Sequence, residues 1–172
     1  MSLNHVVDGI DQATQQNEAN AAVVFTASGR SRGPLTTDLT SRQHSYVADE
    51  PPNLAGDDEG PTPTELALGG LISCQVVVYR FWAERLGIRL DDISITAEGD
   101  LDVRGFFGLK EGVRPGFSAV RFAVTLSGPE TEERYQQLRQ AVDEHCPVLD
   151  LFSNPTPVTS TLQVQSGATV SA

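Results

Sequence analysis

Apolar and polar positions divide the chain into segments of different period. Ile93, Ile95 and Ala97 alternate with polar residues within Ile93–Val103, and Val120, Phe122, Val124 and Leu126 do so within Phe117–Leu126. Such alternation turns one face of a strand inward, so the two segments read as an antiparallel pair. Ahead of them, the runs 21–27, 35–39 and 44–48 read as three shorter strands, with Ser28–Pro34 as a hairpin loop rich in turn formers. Leu66–Trp82 has neither period and stays apolar on nearly every face until Arg80. Its boundaries decide the element. Thr62 is a fair N-cap, Pro63 suits the first helical position, Glu65 completes a capping box and Gly87 supplies a stop. The spacing predicts one long helix, and a helix apolar all round is expected to be buried on all sides. Gly69, Gly70 and Ser73 would let another backbone approach it closely.

The remaining elements follow from local signals. Residues 1–20 are polar and read as an extension carrying a loose surface helix. Asp49–Pro61 cannot hold a periodic element, and loops of that length inside a domain are often functional. Pro129 with Glu130, Glu132 and Glu133 opens a second helix, whose acidic first turn suits the dipole. Its apolar stripe is Tyr135, Leu138 and Val142, with Cys146 one turn further on. Pro147 restarts a short helix through Phe152, and residues 157–164 read as a last strand. The class is therefore α+β, with antiparallel sheets, a long buried central helix and a second helix, in one domain over residues 21–172.

Composition narrows the function. A chain of 172 residues with 39% hydrophobic and 20% charged residues is a globular one. Twelve basic residues, of which Lys110 alone is lysine, face 23 acidic ones, for a formal charge of −11. A surface that negative repels phosphate backbones and anionic headgroups, which argues against nucleic-acid and peripheral-membrane partners. It also fits a surface adapted to high salt. The start lacks the basic flank and apolar core of a secretory signal, and the best candidate membrane span, Leu66–Ala83, is interrupted by Gln75 and Arg80. A cytoplasmic protein is expected, where disulfides are usually catalytic or transient. Cys74 and Cys146 are the two cysteines, and a redox role for them is open beside two buried thiols acting as small hydrophobes.

The run Gly60–Cys74 resembles the central-helix signature of the OsmC/Ohr family, the osmotically inducible and organic-hydroperoxide-resistance proteins. His145-Cys-Pro-Val148, followed by Asn154-Pro-Thr-Pro-Val158, is similar to that family's second cysteine region and final strand. His44–Asp49 resembles a less characterised branch, and the likeness covers about residues 21–165. It implies an OsmC-like fold, an intertwined homodimer with sites at the interface, and thiol-dependent reduction of organic hydroperoxides in a stress response. Cys74 would attack the peroxide, Cys146 would resolve the sulfenic acid, and an external dithiol, of lipoyl type in the peroxidase branch, would restore both. No cofactor is implied. A non-enzymatic binder of an apolar ligand and a thiol redox sensor are the alternatives on the same fold.

The chemistry sets conditions on these residues. Thiolate, not thiol, attacks a peroxide, and a free cysteine titrates near roughly 8.5. Burial alone would leave Cys74 inert, so an arginine must be brought to it from elsewhere. Arg30, in Ser-Gly-Arg-Ser-Arg-Gly, best matches the family's loop arginine; Arg42 is the runner-up and Arg32 a third candidate. In the peroxidase branch a glutamate directly follows the proline, whereas here Thr64 intervenes before Glu65. At about 100° per residue Glu65 and Cys74 point to opposite sides of one helix, over two turns apart. Glu65 therefore either serves across an interface or only closes the capping box. Cys146, at the N-cap of the short helix, is expected to draw thiolate stabilisation from the backbone N–H groups there. Phe106 and Phe107 either line an apolar mouth for the substrate or cap the sheet, and His44 is a candidate for the same cleft. His145 either polarises Cys146 or stands by. Cys74, Cys146, His44 and His145 lack paired ligand spacing, so no metal is expected.

Overall fold

Pro63–Leu86 forms the helix that organises the rest (α2), and its ends are fixed as the residues dictate. Thr62 and Glu65 make the reciprocal capping box, Pro63 occupies the first turn, and Gly87 closes the helix in the left-handed region at φ 61°. The computed structural model describes residues 3–165, so the ends of the expected extension and domain, 1–2 and 166–172, lie outside the described residues. Ahead of α2 come α1 (Leu3–Gln16) and an antiparallel meander of β1 (Ser28–Ser31), β2 (Thr37–Ser41) and β3 (His44–Ala48). After it come β4 (Asp92–Asp100), a single helical turn α3 (Val103–Phe106), β5 (Ala119–Ser127), α4 (Glu132–His145) and α5 (Pro147–Ser153).

The β4–β5 pair runs from Asp92 opposite Ser127 to Asp100 opposite Ala119, with the isoleucines of β4 and Phe122, Val124 and Leu126 of β5 on the better-covered face. That face and α4 cover one side of α2. Leu71, Gln75, Tyr79 and Ala83 form its buried stripe, four residues apart, and Tyr79 and Ala83 join Ile88, Leu138 and Val142 in the core. Polar ties lock the frame: Arg80 donates to the Leu90 carbonyl at 2.7 Å, and Arg134 donates to the Leu86 and Gly87 carbonyls at 3.1 Å each. Gly128 is required, because a Cβ there would fall 2.2 Å from the Tyr135 hydroxyl.

Several sequence expectations need correction. α2 is not enclosed on all sides: Ala67, Gly69, Ser73 and Val77 are exposed, and nothing lies within 4 Å of where a Cβ would stand at Gly69 or Gly70. By length and composition alone α2 could cross a membrane, yet its buried stripe packs on α4 and β4. Residues 21–27 are not a strand. Glu18–Ala21 is a 3-10 turn, residues 22–27 then take no regular structure, and Phe25 is 92% exposed. The strand is Ser28–Ser31, inside the segment expected to be loop, and the turn shifts to the residues after it. Residues 157–164 form no strand either, and Leu162 is 88% exposed. Both segments carry strand-forming residues, and among the described residues neither finds a neighbour to pair with. The meander is similarly uncovered, with no helix lying across it beyond marginal contact.

Candidate functional site

Cys74 sits half-buried on α2, and Cys146, only 3% exposed, occupies the joint where α4 ends and α5 begins. Because α5 packs against α2, Cys146 is brought near enough to Cys74 to act on its titration, and both are free thiols. The Val148 N–H, in the first turn of α5, donates to the Cys74 sulfur. The helix start therefore serves the other cysteine from the one expected: Cys146 is the N-cap but its side chain makes no capping bond. Burial pushes the Cys74 thiol up from its ordinary range, the Val148 N–H draws it partly back, and Cys146 pushes it up again. Among the described residues no guanidinium acts on Cys74.

The arginines stand elsewhere. Arg30 lies in the middle of β1, opposite Asp38 in register, and Arg42 is in the β2–β3 turn at φ 55°. Neither has a hydrogen-bond or ion-pair partner among the described residues. Arg32 is committed, paired with Asp38 at 3.0 Å and with Glu59. Glu65 is nine residues before Cys74, about 13.5 Å along the axis at 1.5 Å per residue. Its Oε2 accepts the Thr62 N–H at 2.8 Å and the Thr62 hydroxyl at 2.9 Å, which lowers its pKa from the ordinary range. Oε1 carries no such bond. His145 is turned away, its ring against Trp82 at 4.3 Å between centroids and its Nδ1 on the Ala141 carbonyl at 2.7 Å.

Phe106 and Phe107 meet edge to face, 4.7 Å between centroids, and line a cleft of about 380 Å³. Its walls are Glu50, Pro51 and Leu54 from the loop, Thr62, Thr64, Glu65 and Leu68 from α2, and Leu101, Val103 and Phe117. His44 is not among them. Phe117 also borders a second groove of about 330 Å³, shared with Leu71, Phe122, Leu149 and Phe152, one helical turn from Cys74. Val148, Leu54, Phe117 and Asp49 carry only faint functional signals in the sequence. Cys-Pro marks a helix start, the only local hint of Val148; an aspartate between a strand and a Pro-Pro loop is the hint of Asp49.

No curated protein matches the chain in sequence. Its fold is that of an OsmC-like protein from Mycoplasma pneumoniae, at 16% identity and a TM-score of 0.66 over 76% of this chain and 88% of that one. An organic hydroperoxide resistance protein, OsmC, from Legionella pneumophila gives 20% identity and 0.58 over 76% and 89%. The organic hydroperoxide resistance protein OhrB of Bacillus subtilis gives 20% and 0.53 over 75% and 90%. The model of the OsmC-like protein family matches residues 56–161, which takes in α2 with Cys74 and the joint with Cys146, and the chain belongs to that family.

Proposed function

We propose that this protein is a cysteine-based peroxidase that reduces organic hydroperoxides, as a homodimer. The observation that carries the reading is the proximity of the Cys74 and Cys146 thiols, brought together from two separate elements by the packing of α5 on α2. Cys74 thiolate attacks the outer peroxide oxygen; the O–O bond breaks, the alkoxide takes a proton and leaves as alcohol, and Cys74 becomes a sulfenic acid. Cys146 then attacks that sulfur, a disulfide forms and water leaves. An external dithiol, of lipoyl type, takes the disulfide back to two thiols and is itself oxidised.

Burial disfavours the thiolate in a single chain, so the activating cation comes from a second copy. Three features support this. Arg30 and Arg42 have no partner among the described residues, the small-residue face of α2 at Gly69 and Gly70 is open, and residues 22–27 and 157–164 are exposed and belong to no helix or strand. In this reading Arg30 lowers the thiol pKa, Arg42 is its substitute, and Glu65 holds the guanidinium through Oε1 while capping α2 through Oε2. The aromatic cleft takes the apolar part of the peroxide, with Phe106 and Phe107 on its wall.

The raised thiol of Cys74 favours one other reading, an apolar-ligand binder in which both cysteines are structural. Steady-state assay with an aromatic hydroperoxide and excess dihydrolipoamide separates them. Many turnovers per chain, abolished by Cys74→Ser, are expected. Stoichiometric oxidation without turnover would instead mark a thiol sensor, and unchanged peroxide a binder.

A further inference from the structure

Asp49 stands where β3 gives way to the loop, and it is 1% exposed. Burying a carboxylate is costly unless donors surround it, and this one has three backbone N–H donors. Its Oδ1 accepts the Glu50 N–H at 2.9 Å; its Oδ2 accepts the Asp57 N–H at 3.1 Å and the Glu59 N–H at 3.2 Å; the buried Thr36 hydroxyl also favours the charged carboxylate. Asp57 and Glu59 are eight and ten residues further on, so one side chain fastens both ends of the excursion. Within it, Asp58 donates to the Glu50 carbonyl at 3.2 Å and Gly56 to the Pro51 carbonyl at 3.2 Å. Gly56 lies so close that a Cβ would fall 1.8 Å from the Glu50 carbonyl oxygen. The excursion held this way presents Glu50, Pro51 and Leu54 to the cleft, whose other walls include Leu68, Phe106 and Phe107.

We infer that Asp49 is a positioning residue for substrate selection: its carboxylate shapes the loop wall of the cleft and so favours hydroperoxides with a bulky apolar body over hydrogen peroxide. The inference rests on the reading that this cleft receives the substrate. Hydrogen peroxide has no apolar body to seat, so its reaction depends on Cys74 and not on the loop wall. The thiol chemistry and the loop wall are thereby separable.

Asp49→Asn tests this in the full chain. The amide group must turn its NH2 toward the Glu50 N–H or toward the Asp57 and Glu59 N–H groups, donor against donor. Thr36→Val removes only the supporting hydroxyl and keeps all three backbone donors, and is the milder variant. Three quantities are read: KM and kcat for cumene hydroperoxide, the second-order rate with hydrogen peroxide, and the Kd of a neutral naphthylamine dye. Losing the apolar wall is expected to raise KM and dye Kd about tenfold in Asp49→Asn, and less in Thr36→Val, with the hydrogen peroxide rate unchanged. Equal losses with both peroxides, or unchanged KM and Kd, would overturn the inference. Where neither peroxide turns over, the peroxidase reading has failed, and the dye Kd alone still decides whether Asp49 shapes the cleft. Where Asp49→Asn does not melt cooperatively, Thr36→Val decides, and an unchanged dye Kd in it counts against the inference.

Discussion

The titration of Cys74 discriminates between a chain acting alone and one completed by a second copy. Within one chain burial holds the thiol above its ordinary range, with the Val148 N–H as the compensating donor. A guanidinium brought to about 4 Å is worth about 4 kcal/mol at an effective dielectric near 20, or about three pKa units at 1.36 kcal/mol each. Cys74 is only half-buried, so solvent and salt reduce this to about one or two units. The perturbation is Arg30→Ala with Arg42→Ala in a Cys146→Ala background, which leaves one sulfur to report. The assay is the rate of iodoacetamide alkylation across pH. With both arginines present the midpoint is expected below roughly 8.5, and without them above it. Stability then changes sign with them. A thiol whose folded pKa lies above the unfolded value stabilises fully below roughly pH 8.5 and loses that contribution as pH rises; one held below it stabilises above that pH and loses the contribution as pH falls. The same midpoint, above roughly 8.5, with and without the arginines would refute the claim that they activate Cys74.

Further outcomes follow from the same geometry. Thr62→Ala removes the N-cap of α2 and is expected to cost about 1 kcal/mol, lowering Tm by about 2–4 °C in calorimetry. Glu65→Gln keeps the cap but gives up the charge. Its Tm is expected to stay put while peroxidase kcat/KM falls about tenfold; an unchanged rate would reduce Glu65 to a cap. Both polar ends of the fully buried Gln75 lack a hydrogen-bond partner among the described residues. Gln75→Met is therefore expected to stabilise by about 1–3 kcal/mol in denaturant unfolding, and destabilisation would contradict the reading of that amide as unsatisfied.

Much of the fold is written locally, and those parts were legible. Thr62, Pro63, Glu65 and Gly87 carry the start and stop of α2 in their own chemistry, so its bounds follow without knowledge of its neighbours. The alternation of β4 and β5 likewise reports the one face they bury. Residues 21–27 and 157–164 have the side chains of strands, but a strand also needs a partner, and no partner is encoded in the segment itself. The apolar run of α2 promises more burial than the fold provides for a related reason: its residues do not say whether the covering surface belongs to the same chain.

The candidate site divides in the same way. The resemblance of two separated motifs to the family points to Cys74 and Cys146, but their proximity depends on α5 folding back across α2, which is tertiary. Which sulfur receives the Val148 N–H is decided by that packing and not by nearness in sequence. Asp49 and Leu54 sat in a segment without periodicity, where hydrogen bonds to a buried carboxylate, and not hydrophobic pattern, set the shape.

Oxidation of the reduced protein by one equivalent of an aromatic hydroperoxide, followed by alkylation and peptide mass analysis, tests the peroxidase account most directly. The account predicts one peptide pair joined through Cys74 and Cys146, two hydrogens lighter than the separate thiols and carrying no label. Two fully alkylated cysteines after peroxide exposure would contradict it.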